Sequence, residues 1–417
     1  MAGTKTDIWV YAHWMGMEQP KCIGILSAQQ AKGRKVFTFS YDKSWINSAE
    51  QVLLDPDIAW YPGAQYPKGK DNFGVFMDSM PDTWGRKLMQ RRVGQLARES
   101  KMPTPTLYEI DYLLGVHDQS RMGALRFKVE QDGPFLDDNP KNPTPPWASI
   151  RELQHSAEIL EADQDDKAIN QSLALLLAPG SSLGGARPKA NILDDDGHPW
   201  IAKFPSGADQ FDKAAWEYLA YLLATKAGIQ MSECRIEKVY GPHHTFFTKR
   251  FDRINGERIH FASAMTMTGR NEEINREDTP SYLDLAEFLQ YYGASITADL
   301  AQLWRRLIFN IAISNTDDHL RNHGYILVKN GWRLAPAYDL NPSIDKDGLE
   351  LNIDTHNNAL DLDLARSVGE YFQLKKEDMN EIIEEVMTVV STWKEHAKEI
   401  GLSRAEQEKM SGAFMVI

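Results

Sequence analysis

Apolar and polar residues alternate along the first part of the chain. The alternation is clearest in residues 8–14, 21–27 and 35–41, which are rich in β-branched and aromatic side chains. Because successive side chains of a strand point to opposite faces, a period of two predicts that each segment is a strand. Polar or glycine-containing segments separate the three, which predicts a small antiparallel sheet at the N-terminus.

Later segments carry apolar residues at helical spacing. Residues 83–99 follow this spacing, and Pro81 with Asp82 supplies a typical helix start. Residues 298–314 present one continuous apolar face, which predicts a packed and rigid helix. Further helices are predicted at residues 149–163, 167–177 and 213–228.

A segment rich in Pro, Asp and Asn interrupts these patterns at residues 131–147, and this composition is typical of a linker. The fold class predicted from the pattern is α+β, with a β-rich start and a mostly helical end. The predicted segments are an N-terminal subdomain (1–130), a linker (131–148), a mixed segment (149–258) and a helical segment (259–417).

Composition narrows the function classes. The chain has 417 residues, of which 42% are hydrophobic and 25% are charged, and its net charge is −13. An acidic balance argues against a nucleic-acid binder acting alone, although it leaves room for a local basic groove and suits a basic partner. Two isolated thiols, Cys22 and Cys234, form neither a disulfide framework nor a zinc ligand set. Without a signal-like or membrane-spanning run, we expect a cytoplasmic protein that contacts no membrane.

The first stretch whose residues could bind a ligand is GSSLGGARPK at residues 180–189. Small residues allow the backbone to approach a polyphosphate, and consecutive N–H groups can bind an anion. The stretch is not a Walker A loop, because Lys189 is followed by Ala190. A plain solvent-exposed Gly/Ser turn is the alternative interpretation.

The second stretch is an apolar strand that ends at Lys203. Kinases use a strand lysine near a glycine-rich loop to hold nucleotide phosphates. Glu217, on the following helix, is a possible partner that would fix the direction of this lysine. A strand end with its lysine in water is the alternative.

The third and fourth stretches offer oxygen ligands. Asp317 and Asn322 have the D-x-x-x-x-N spacing of a kinase catalytic loop, in which the Asp accepts the hydroxyl proton and the Asn binds magnesium. Asp339 then follows an apolar segment, at the place of a second magnesium-binding Asp. A solvated turn at a helix end and an ordinary strand end are the alternatives. Together the four stretches supply, in kinase order, the set that phosphoryl transfer requires.

At these residues the chain resembles the HipA family of bacterial serine/threonine kinases. The stretches that carry the resemblance are GGARPKA, WIAKFPS, FFTKRFDR, NTDDHLRNHGYIL and LAPAYDL, with FGVFMDSMPDTWGRKLMQRR near the N-terminus. The resemblance implies a protein-kinase-like, two-lobed fold that uses ATP and Mg²⁺. Residues 149–258 would then be the kinase N-lobe and residues 259–417 its C-lobe.

The resemblance also assigns roles to individual residues. It implies that Asp317 is the catalytic base and that Asn322 and Asp339 are the magnesium ligands. His319 would support the catalytic loop, although a buried structural imidazole explains it equally well. The implied ATP-binding residues are Leu183, Gly184, Gly185, Ala186, Lys189, Lys203, Lys249 and Phe251, the last two through backbone groups at an adenine hinge.

Some members of the family are switched off by phosphorylation of a serine in the phosphate loop. Ser182 occupies the matching position, and Ser181 lies beside it. A phosphate there would compete with ATP phosphates for the same site. The sequence departs from the family pattern at Lys249, where a carboxylate is expected in some members, and at Pro188, which stiffens the loop.

The family's partners suggest partners for this chain. The resemblance implies a toxin that pairs with a helix-turn-helix antitoxin, reaches DNA only through that complex, and phosphorylates a translation component such as an aminoacyl-tRNA synthetase. Two other hypotheses remain: an inactive kinase fold that binds an antitoxin as co-repressor, and a kinase of small molecules.

Overall fold

A computed structural model describes residues 5–31, 34–48, 51–136, 144–162, 172–173, 176, 185–271 and 279–415 of the chain. The helix predicted at residues 167–177 therefore lies mostly outside the described residues.

The described strands are β1 (Lys5–Ala12), β2 (Lys21–Ala31), β3 (Arg34–Tyr41), β4 (Leu125–Lys128), β5 (Lys189–Leu193), β6 (Pro199–Lys203), β7 (Cys234–Glu237), β8 (Thr245–Lys249), β9 (Arg253–Ile254), β10 (Glu257–Arg258), β11 (Phe261–Ser263), β12 (Gly324–Val328) and β13 (Gly331–Leu334). The described α-helices are α1 (Lys43–Ile46), α2 (Gly74–Met77), α3 (Thr83–Glu99), α4 (Glu109–Leu114), α5 (Ile150–Ala162), α6 (Lys213–Lys226), α7 (Ala264–Met267), α8 (Tyr282–Tyr292), α9 (Ile296–Ala312), α10 (Leu362–Ser367), α11 (Lys376–Ser391), α12 (Trp393–Ile400) and α13 (Arg404–Met410).

The chain divides into two compact units. The first unit contains residues 1–207, 252–262 and 269–271, and the second contains residues 208–251, 263–268 and 272–417. The segment limits predicted at residues 130, 148 and 258 remain predictions.

The first unit is built on a four-stranded antiparallel sheet in the order β3-β2-β1-β4. Alternation along β1 is as predicted, since Ile8, Val10 and Ala12 are fully buried. Phe39 and Phe76 pack on this face of the sheet with ring centroids 5.5 Å apart. The same unit contains the antiparallel hairpin of β5 and β6.

Helix α3 begins where the sequence predicts. Asp82 is its N-cap residue and accepts a hydrogen bond from the backbone N–H of Gly85. This bond satisfies one of the donors that a helix start leaves unpaired. The end of the helix at Glu99 is also as predicted.

The second unit is centred on α9. Leu300, Trp304, Leu307 and Ile311 on this helix are all 0% exposed, which confirms the predicted apolar face. The helix begins at Ile296, two residues earlier than predicted, and ends at Ala312, two residues earlier than predicted. Buried α9 is thus a firm base for the loop that follows it.

In the described part of the chain, no helix combines the length and the apolar character needed to cross a lipid bilayer.

Candidate active site

The loop that follows α9, residues 313–323, is called the Asp317 loop here. It turns back on the helix at once, because the Asn315 N–H donates to the Asn310 carbonyl over 2.9 Å. Ser314 has a positive φ of 49°. A non-glycine residue in this conformation is uncommon and persists only where the surrounding structure holds it.

Asp317 and Asn322 meet within this loop. The side-chain amide of Asn322 donates to the Asp317 carbonyl over 2.9 Å. The His319 N–H donates to the same carbonyl over 3.1 Å, and the Asn322 N–H donates to the His319 carbonyl over 2.8 Å. The five-residue spacing therefore closes a compact turn. Asp317 is exposed, and the amide oxygen of Asn322 remains as an acceptor.

A buried hydrogen-bond network lies beneath the turn, and Asp318 is at its centre. Its carboxylate accepts a hydrogen bond from His323 Nε2 over 2.7 Å and another from the Tyr282 hydroxyl. The Asn310 amide donates to that hydroxyl over 2.9 Å, and the Asn315 amide donates to the Asn310 oxygen over 3.1 Å. All five residues are at most 3% exposed. The network holds the Asp317 loop on α8 and α9.

The neighbouring carboxylates of the loop therefore have different surroundings. Asp318 is 1% exposed and both of its oxygens are bonded, whereas Asp317 faces outward. The sequence favoured Asp317 on spacing alone, and burial favours the same residue on independent grounds.

Asp339 lies beyond the end of β13, on a segment that buried residues hold in place. The Arg306 guanidinium donates to the Ala335 carbonyl over 2.6 Å, and the Tyr338 hydroxyl donates to the Arg321 carbonyl over 2.8 Å. Asp339 itself has a φ of 60°, in the left-handed region. Positive φ values at non-glycine residues tend to occur at functional sites, so this one supports a site at Asp339.

The charges of Asp317 and Asp339 act on each other. Partial removal of the Asp317 carboxyl from water raises its pKa above the ordinary value, and the negative charge of Asp339 raises it further. His319 and Lys346 oppose the rise. A carboxylate whose pKa is raised by a neighbouring carboxylate marks a place where a cation would bind favourably.

The donor set suits Mg²⁺. The side chains of Asn322 and Asp339 offer an amide oxygen and a carboxylate, and the Asn341 amide donates to Asp339 over 3.3 Å. Magnesium prefers such hard oxygen ligands, with water completing its shell. The predicted ligands thus fit the predicted ion.

His319 is half-buried beside Asp317, and its charge lowers the pKa of that carboxyl. Its Nδ1 is buried and has no hydrogen-bond partner among the residues that the structure describes. The position of His319 is compatible with the prediction that this residue supports the Asp317 loop. That role stays a prediction.

The predicted hinge residues lie in the second unit. Lys249 ends β8, and its N–H donates to the Glu233 carbonyl over 2.8 Å. The Phe251 ring stacks on the Tyr338 ring, with centroids 5.9 Å apart, next to Asp339. Their roles at an adenine base stay predictions.

The predicted phosphate loop belongs to the first unit and is only partly described. Ser181, Ser182, Leu183 and Gly184 lie outside the described residues. Gly185 and Ala186 are described, and Gly185 has a φ of 107°.

The two predicted phosphate-binding lysines are opposite each other in the β5–β6 hairpin. Lys189 and Lys203 are register partners. Lys189 is buried in an ion pair with Asp82, whereas Lys203 is half-buried at the end of β6. The pairing of Lys203 with Glu217 stays a prediction.

Comparisons with known proteins identify the family. The model of the HipA-like C-terminal domain matches residues 181–393, just over half of the chain. The chain belongs to the HipA-like C-terminal domain family. This confirms the resemblance that the sequence motifs indicated.

Curated relatives are similar over part of the chain. A Haemophilus influenzae protein named "Putative kinase" is 27% identical over 214 residues, which are 44% of this chain and 62% of that protein. A Sinorhizobium fredii protein named "Putative kinase Y4mE" is 26% identical over 183 residues, 38% of this chain and 41% of that protein. The chain thus spans less than two thirds of the length of these relatives.

A solved structure confirms the fold over nearly the whole chain. HipA in the Shewanella oneidensis MR-1 complex of HipA, HipB and operator DNA superimposes with a TM-score of 0.66 at 16% identity, covering 97% of this chain and 94% of that one. The HipA-like chain therefore has the protein-kinase-like fold, of mixed helix and sheet, that the sequence predicted.

Sequence reasoning missed the residues that support the site. Asp318, Tyr282 and His323 have no motif that distinguishes them from surface residues, and Asp82 was recognised only as a helix start. The apolar neighbours Leu320 and Tyr325, both buried, indicate that part of this segment faces inward. That signal is too weak to assign a hydrogen-bond network.

Proposed function

We propose that this HipA-like chain is an ATP-dependent serine/threonine protein kinase. The observation that carries the proposal is the geometry of the Asp317 loop. The buried network around Asp318 holds this loop, the side chain of Asp317 is exposed, and the backbone carbonyl of Asp317 accepts a hydrogen bond from the Asn322 amide. Asp339, whose charge acts on Asp317, supports the same assignment. The family membership supports it independently.

Asp317 would act as the general base. Its carboxylate takes the proton of a serine or threonine hydroxyl while the hydroxyl oxygen forms a bond to the γ-phosphorus of ATP. The bond from that phosphorus to the β,γ-bridging oxygen breaks, and ADP leaves. A raised pKa makes the carboxylate a stronger base, and the Asp318 network fixes its direction. Mg²⁺ bound by Asn322 and Asp339 would neutralise negative charge on the phosphates.

The remaining ATP contacts follow from the resemblance. Residues 183–186 and Lys203 would contact the phosphates, with Lys189 held behind them in its ion pair with Asp82, and Lys249 with Phe251 would contact the adenine. Phosphorylation of Ser182 or Ser181 would limit the activity, because the added charge would repel the ATP phosphates.

The proposed role is that of a toxin in a toxin–antitoxin pair in the cytoplasm. The similar HipA of Shewanella oneidensis is part of a complex with HipB and operator DNA, which supports a helix-turn-helix antitoxin as partner. The net charge of −13 suits a basic DNA-binding protein. The proposed substrate is a translation protein such as an aminoacyl-tRNA synthetase.

The test is transfer of labelled phosphate. The purified chain is incubated with γ-labelled ATP, Mg²⁺ and a cell extract, and the products are separated into proteins and small molecules. Label on serine or threonine of a protein is expected. Label on small molecules alone would favour a small-molecule kinase, and no transfer at all would favour an inactive module that binds an antitoxin.

A further inference from the structure

A buried ion pair connects α3 of the N-terminal subdomain with the strand that follows the predicted phosphate loop. Lys189 Nζ lies 2.8 Å from Asp82 Oδ2, and the two side chains are only 3% and 1% exposed. The residues are 107 positions apart along the chain and belong to the same compact unit. An ion pair this deeply buried exists only where the fold holds both partners in place.

The first turn of α3 fixes the direction of the Asp82 carboxylate. Its second oxygen accepts the Gly85 N–H over 2.7 Å, and the Asp82 carbonyl accepts the Arg86 N–H over 2.8 Å. Because both ends of Asp82 are bonded within the helix start, the carboxylate moves with α3 as one body.

The same turn contacts the described end of the phosphate loop directly. The Trp84 N–H donates to the Gly185 carbonyl over 3.3 Å. A side-chain carbon added to Gly185 would lie 3.0 Å from Lys189 Nζ, so the ammonium packs against the loop backbone. Gly185 is thus held by α3 through its carbonyl and by Lys189 through packing.

The ion pair also affects the repulsion between Lys189 and the neighbouring Lys203. Lys189 and Lys203 are register partners, and like charges directly opposite on an antiparallel pair repel each other. The carboxylate of Asp82 offsets the charge of Lys189 and so reduces this repulsion.

We propose that Asp82 is a positioning residue for ATP binding, which acts through Lys189 to hold Gly185 at the described end of the predicted phosphate loop. The inference rests on the proposed function and extends it. Asp82 itself touches no substrate. The N-terminal subdomain is then part of the ATP-binding machinery, and a ligand or partner that shifts the start of α3 changes the affinity for ATP.

The test compares single and double variants by calorimetric titration with ATP and Mg²⁺. Asp82→Asn removes the charge but keeps the helix cap, because Asn caps helices as well as Asp. The Kd for ATP is expected to rise roughly 5-fold or more, a typical coupling between linked sites. Lys189→Met is expected to have a similar effect, and the double variant is expected to be no weaker than either single variant.

Glu109→Gln is the matched control. It breaks a second ion pair of the same helix turn, that of Arg86 with Glu109 at 2.7 Å. Its Kd for ATP is expected to equal that of the wild type. Circular dichroism melting shows which variants are folded, and if Asp82→Asn does not fold, Lys189→Met and Lys189→Gln carry the test from the other side of the pair.

An unchanged Kd for ATP in folded Asp82 and Lys189 variants would overturn the inference, as would effects of the two substitutions that simply multiply. Both results leave the proposed function standing if the wild type still transfers phosphate. A wild-type chain that neither binds ATP nor transfers phosphate defeats the proposed function itself.

Discussion

The Asp317 loop and the described end of the predicted phosphate loop each lie near a buried carboxylate, and the two carboxylates have different partners. Asp318 is bonded by a hydroxyl and an imidazole, within a network of further amides. Asp82 is bonded by the Lys189 ammonium and by the N–H of Gly85 in the first turn of its own helix. Asp318 is bonded by two side chains from separate segments, whereas Asp82 has one charged side-chain partner besides its own helix start, and removal of a partner from either leaves a buried charge or donor unpaired.

The largest expected effect is on catalysis. Asp317→Asn is expected to lower phosphate transfer by about 10²- to 10⁴-fold, because general-base catalysis contributes that much. The Kd for ATP should stay near the wild-type value. Labelled transfer and calorimetry measure the two quantities, and Asp347→Asn, which changes an exposed acid of a nearby segment, is the control. Near wild-type transfer by the Asp317 variant would show that another group is the base.

The next largest effect is on the free energy of unfolding, which is expected to depend much more on Asp318 than on Asp317. Asp318→Ala leaves two buried donors without their acceptor, so the free energy of unfolding is expected to fall by about 2–5 kcal/mol. The same substitution at exposed Asp317 is expected to change it by less than about 1 kcal/mol. Urea unfolding of both variants measures the difference, and equal losses would contradict the assignment of Asp318 to a structural network.

A smaller effect is expected from the hydroxyl of Tyr282. Tyr282→Phe removes one donor to Asp318 and the acceptor of the Asn310 amide, at a cost of about 1–3 kcal/mol in the free energy of unfolding. Burial, together with the charge of Asp318, raises the pKa of this hydroxyl well above its ordinary value, so it stays a donor at neutral pH. Tyr292→Phe, at a half-exposed position of the same helix, should cost under about 0.5 kcal/mol.

The smallest effect is a pH dependence. Because the pKa of Asp317 is raised in the folded chain, folding favours its protonated form. Stability from this group is therefore present below the ordinary Asp pKa and is lost as pH rises through the raised value. Asp317→Asn should remove this slope, measured by urea unfolding across that pH range. Transfer by the wild type should fall as pH is lowered through the same raised pKa, since the base must be ionised.

Much of the architecture was predictable because the responsible signals are local. The period-two alternation gave β1, the cap at Asp82 gave the start of α3, and the apolar face of residues 298–314 gave α9. Spacing alone predicted that Asp317 and Asn322 act together, and the two residues meet within one turn. Strand β6 ends at Lys203 as predicted, whereas α9 begins and ends two residues earlier than predicted.

The sequence by itself determined the elements, the order of the chemical motifs and the family. Only the tertiary structure decided which of the adjacent residues Asp317 and Asp318 is buried, that Asp339 takes a left-handed conformation, and that Lys189 meets Asp82. Periodicity and spacing act between near neighbours, whereas burial and charge pairing depend on segments that lie far apart in the chain and meet only when it packs.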